Sequence, residues 1–82
     1  MPMTFQDAQG IDLAREQVGL SRTELFVRYF ALGGSNDPGA IEAFLEGRTE
    51  TLERVDYDML VHAVNERFSE LGLNHRVPYS PR

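Results

Sequence analysis

With 82 residues and a mass of 9.3 kDa, the chain makes one domain that buries only ~60–65% of its unfolded surface, which leaves little room for a deep catalytic cleft. Thirteen acids against eight bases, all arginine, give a formal net charge of -5 and a pI near 4.8. Cysteine is absent, so a disulfide framework, a thiolate nucleophile and a cysteine zinc site are excluded. No basic leader or apolar run of membrane-spanning length is present, and the expectation is a soluble, cytoplasmic protein with no membrane partner.

The first segment reads as a helix over residues 4–18, with Ile11, Ala14 and Val18 on one face and Leu13 widening it, although Gly10 interrupts its helical preference. A four-residue joint follows, Val18-Gly19-Leu20-Ser21. Gly19 is suited to the left-handed conformation that closes one helix, Ser21 to capping the next, and Leu20 to an apolar contact with both. Ser21-Arg22-Thr23-Glu24 has the pattern of a capping box, and Leu20 before it is placed to staple to Leu25. This second helix should run to about Leu32 and stop at Gly33-Gly34. Leu25, Phe26, Val27, Tyr29, Phe30 and Leu32 cover most of its circumference, which makes it the core helix.

Asp37 and Pro38 open a third helix that Gly47 closes, with Ile41, Phe44 and Leu45 as its apolar stripe. A fourth spans residues 56–72, where Tyr57, Leu60, Val64, Phe68 and Leu71 recur at spacings of three and four and Leu73 seals the Gly72 cap. The expected fold class is all-α: a compact bundle of about four helices over residues 4–73, with a helix-turn-helix-like centre. Residues 74–82 contain two prolines and form an extended C-terminal tail, or alternatively a docking peptide of polyproline character. The expected core is Leu25, Tyr29, Phe30, Ile41, Phe44, Leu60, Val64 and Phe68.

Ala14-Arg15-Glu16, Gly19-Leu20-Ser21, Leu25, Ile41, Glu46-Gly47-Arg48 and a last helix with Leu60, Ala63 and Val64 together resemble the repressor/Cro type of helix-turn-helix domain over about residues 11–72. Two features depart from that pattern. The linker Gly33-Gly34-Ser35-Asn36 and the long second helix exceed the usual tight turn, and the third helix lacks polar base readers. Arg28-Tyr29-Phe30-Ala31-Leu32-Gly33-Gly34 and Arg76-Val77-Pro78-Tyr79 also resemble segments of short, uncharacterised actinobacterial proteins. The resemblances imply a regulatory setting, with the third helix in the base-reading position.

Charge argues against base reading. Non-specific affinity for DNA comes from neutralising phosphates, yet Arg15, Arg22 and Arg28 are matched in sequence by Asp12, Glu16 and Glu24. The third helix offers Asp37, Glu42 and Glu46, with no Arg, Asn or Gln for bidentate contacts to bases. Only a spatial cluster of Arg15, Arg22, Arg28 and Arg48 would supply phosphate contacts if DNA is bound.

Other constellations are explained by solvation and packing. Asp58, His62 and Glu66 share a helical face at metal-ligand spacing but lie opposite the Leu60/Val64/Phe68 stripe, where a solvated charged face is the plain reading. The glycine pair is not a phosphate loop, and the serines lack a nucleophile-elbow context. No enzyme activity, cofactor or metal is therefore expected. The functional expectation is a small regulatory module, associated with transcription, that acts through protein–protein contacts. A basic partner surface would meet Asp37, Glu42, Glu46, Glu50, Glu53, Asp56 and Asp58, while Phe26 and Tyr29 are the expected lining of an apolar groove or homodimer interface. The alternative is an atypical helix-turn-helix DNA-binding regulator.

Overall fold

The computed structural model describes residues 5–48, 52–73 and 77–78, with the side chains of residues 5 and 6 outside the description. Four helices follow in order: α1 (Phe5–Gln17), α2 (Arg22–Ala31), α3 (Pro38–Leu45) and α4 (Arg54–Glu70). The protein is an all-α bundle in which α2 packs on α4, and α1 packs on both α3 and α4.

The α1–α2 joint follows from local chemistry. Gly19 sits at φ 71°, a conformation that carries no Cβ penalty in glycine. The Leu20 amide then donates to the Arg15 carbonyl at 3.1 Å and the Gly19 amide to the Glu16 carbonyl at 3.1 Å, satisfying orphan carbonyls at the end of α1. Ser21 is extended at φ -73°, ψ 163°. Its hydroxyl accepts the Glu24 amide at 3.0 Å, and the Glu24 carboxylate accepts the Ser21 amide at 2.8 Å. The expected capping box is complete. Leu20 and Leu25 are both buried, consistent with their placement on either side of the cap.

At α3, Pro38 occupies the first turn and Asp37 the N-cap position, but the Asp37 side chain makes no capping bond. Its backbone carbonyl instead receives the amides of Ala40 and Ile41, at 2.9 and 3.2 Å. α4 starts two residues earlier than residue 56, with Glu53 as its N-cap residue. Asp56 thus falls within the first turn, where a carboxylate is favoured near the positive end of the helix dipole.

Seven of the eight expected core side chains are buried: Leu25, Tyr29, Ile41, Phe44, Leu60, Val64 and Phe68. Phe30 is a correction, being 40% exposed. Leu25 and Tyr29, four residues apart, take the face of α2 turned to its neighbours, and Phe30 lies about 100° further round the helix. Its ring still meets Tyr29 edge-on, with centroids 5.2 Å apart. Leu13 does not widen the inner face of α1 either; it is exposed, and Ala8 joins Ile11, Ala14 and Val18 in the core.

Candidate interaction surface

The four arginines that would contact phosphate in a DNA binder meet carboxylates, some close in sequence and some brought near by the packing of the helices. Arg15 donates to Asp12 at 2.8 Å and to the Leu20 carbonyl at 2.7 Å. Arg22 reaches across the joint to the same Asp12, at 3.3 and 3.2 Å. It also lies 4.0 Å from Glu42 and 3.7 Å from Glu46, so one guanidinium faces three carboxylates. Arg48 donates to Glu46 at 2.8 Å. Arg28 forms a bidentate pair with Glu70, both contacts at 2.9 Å. Each of the four candidate phosphate ligands, Arg15, Arg22, Arg28 and Arg48, is therefore paired within the chain.

Titration follows this geometry. Burial raises the Asp12 carboxyl, but hydrogen bonds and charge from Arg15 and Arg22 outweigh it, and the group stays below the usual carboxylate range. Hydrogen bonding to Asp12 raises Arg22 further above the neutral range. The Arg28 hydrogen bond, with a contribution from Arg67, brings Glu70 down from 4.5 to about 2. The Ser21 backbone bond, followed by the Ser21 hydroxyl, lowers Glu24.

The acids divide into three groups. Glu42 on α3 and Glu46 at its C-cap are exposed but flank Arg22, so part of their charge is neutralised internally. Asp37 and Glu53 stand exposed at the starts of α3 and α4 without side-chain capping bonds. Asp56 is a correction to the expected contact surface: it is buried, 9% exposed, and accepts the Tyr29 hydroxyl at 2.6 Å. Glu50 lies outside the described residues. An open depression of about 440 Å³ adjoins the Arg22 cluster, lined by Gln9, Asp12, Leu13, Arg22, Leu45 and Glu46.

Tyr29 is a second correction. It is fully buried and offers no surface to a partner. Its hydroxyl donates to Asp56 and accepts the Asn36 amide at 3.0 Å, tying the α2–α3 connection to the first turn of α4. Burial, followed by the hydrogen bond to Asp56, raises its pKa. Phe26 is half-buried and packs against the core. The apolar surface left on α2 is instead Val27 and Phe30.

Sequence reasoning also misses Asn65 and Arg67. Asn65, 6% exposed within the buried face of α4, donates its side-chain amide to the Val77 carbonyl and accepts the Val77 amide, both at 2.9 Å. Residues 77–78 are thus brought back onto the bundle rather than extending from it. An asparagine beside Val61, Val64 and Phe68 was the available signal, since a polar group on an apolar face requires a hydrogen-bond partner. Arg67 donates to the Val18 carbonyl at 3.2 Å, supporting the α1–α2 joint from α4.

His62 is exposed, with its ring nitrogen 4.0 Å from Glu66. Among the described residues, no group of three or more His, Cys, Asp or Glu is placed to hold a metal ion. No described helix is long and apolar enough to cross a membrane. No family model, curated protein or solved structure matches the chain.

Proposed function

We propose that this chain is a small, non-enzymatic regulatory module of the cytoplasm, associated with transcription, that works through contacts with a protein partner bearing a basic surface. The observation that carries the proposal is the internal pairing of Arg15, Arg22, Arg28 and Arg48 in a chain of net charge -5. Binding a phosphate through any of them would require breaking an existing carboxylate contact, while the nearby acids would repel the duplex. The resemblance to the repressor/Cro type supplies the regulatory setting. Its base-reading position falls on α3, which carries the exposed Glu42 and ends at the exposed Glu46.

Electrostatic complementarity acts chiefly on association rate and specificity. The test compares a lysine-rich peptide with duplex DNA, using the whole chain and a variant carrying Asp37→Asn, Glu42→Gln, Glu46→Gln and Glu53→Gln. The expected result is salt-sensitive binding of the basic peptide, with association slowed roughly tenfold in the variant. Equal association of both proteins would remove the acidic surface from the account.

A further inference from the structure

We propose that the groove between α1 and α4 is a peptide-docking site for an extended segment of a partner that presents a branched apolar residue followed by proline, and that Val77-Pro78 is its built-in occupant. The site is defined by what already sits in it. Asn65 offers one donor and one acceptor, and both meet the backbone of Val77 at 2.9 Å. A side-chain amide used in this way imitates a neighbouring strand: it recognises an extended main chain without requiring a particular side chain. The Val77 side chain adds specificity by packing against the core cluster. Proline at the following position has no amide donor to leave unsatisfied and favours the extended form.

The groove is larger than its occupant. Beside Val77 and Pro78 lies a cavity of about 250 Å³, lined also by Gly10, Leu13, Ala14, Gln17 and Phe68. Leu13 presents an exposed apolar wall to it. Gly10 is in the interior of α1, where glycine destabilises a helix relative to alanine. A Cβ added there would meet nothing within 4 Å, so packing of the described structure does not require glycine at this position. Glycine does keep the wall of the cavity low. This site is separate from the acidic groups on α3, so either assignment can fail without the other.

The probe is a synthetic peptide with the sequence of residues 74–82, titrated into isotope-labelled full-length protein and followed by NMR. Val77→Asp places a charge on the apolar seat and releases the internal occupant. In that variant the peptide should cause saturable shifts at Gly10, Leu13, Ala14 and Phe68. The wild-type chain should bind roughly tenfold more weakly, because its own segment leaves only a fraction of grooves open. Adding Gly10→Leu, which favours the helix while filling the cavity, should abolish binding, as should Asn65→Leu.

Absence of saturable shifts, or shifts unchanged by Gly10→Leu, would overturn the proposal. If Val77→Asp loses its helical circular dichroism, excess peptide on wild-type protein decides: displacement must move the Val77 amide signal, and an unmoved signal overturns the assignment. A wild-type dimer whose Val77 signal depends on protein concentration would assign the groove to a second copy and likewise contradict a partner segment.

Discussion

The two ends of α2 are held by different physics. At its start, Gly19, Leu20, Ser21 and Glu24 close one helix and open the next through contacts only a few residues apart in sequence. At its end, the chain turns at Leu32–Gly34, but the connection onward to α3 depends on Tyr29 bonding both to Asn36 and to Asp56 on α4. Arg28 adds a second tie to α4 through Glu70. A cap stabilises a helix end, whereas this buried network fixes how three elements meet. Damage at the second end should therefore be larger and more cooperative than damage at the first.

Gly34 offers the strongest way to break that contrast. A Cβ there would lie 2.3 Å from the Tyr29 ring, so Gly34→Ala must displace a ring that is fully buried. The expected loss is about 3 kcal/mol, measured by urea unfolding. Tyr29→Phe keeps the ring but leaves the Asp56 carboxylate and the Asn36 amide without their shared partner, with an expected loss of about 2 kcal/mol. Ser21→Ala should cost about 1 kcal/mol at the other end. If the cap variant proves more damaging than either network variant, the contrast is wrong.

The smallest effect is that of pH on the Arg28–Glu70 tie. Glu70 titrates at about 2 in the folded chain against an ordinary 4.5. A lowered folded pKa stabilises above the unfolded value and is lost as pH falls through the folded one. Between about pH 4.5 and pH 2 the wild-type protein should lose a small increment of Tm. Glu70→Gln should lack that part of the slope, and identical pH profiles would remove the pair from the account. Because Glu70 is solvent-exposed, screening keeps this effect below the others.

The same contrast explains what could be read from the sequence. The four helices, the capping box and the buried stripes of α3 and α4 all rest on patterns within a few residues, and those patterns are sufficient to locate them, except that Leu71, the last member of the α4 stripe, is exposed at the C-cap. Phe30 falls outside the core, against its pattern, because a helix with apolar residues nearly all round gives no sign of which side meets its neighbours. Asp56 reads as a surface group, and Tyr29 as a core ring with a second reading as an interface residue; neither reading contains their bond, which spans 27 positions. The sequence matches Arg22 with nearby acids but does not show Glu42 and Glu46 beside it, because they approach only after α3 packs on α1 and α2. Asn65 carried a usable signal in its apolar surroundings, but its partner Val77 is 12 positions away in a segment that reads as a tail.

The functional account depends on this packing, because it withdraws arginine charge from the surface and leaves carboxylates exposed. Its most direct test is titration of the unmodified full-length chain with duplex DNA, by fluorescence anisotropy, at low and at physiological salt. The account predicts at most weak binding at low salt that disappears at physiological salt, with no preference among duplex sequences. Tight, sequence-dependent binding that survives physiological salt would contradict it, and would mean that the carboxylates facing Arg22 and Arg28 give way to phosphate.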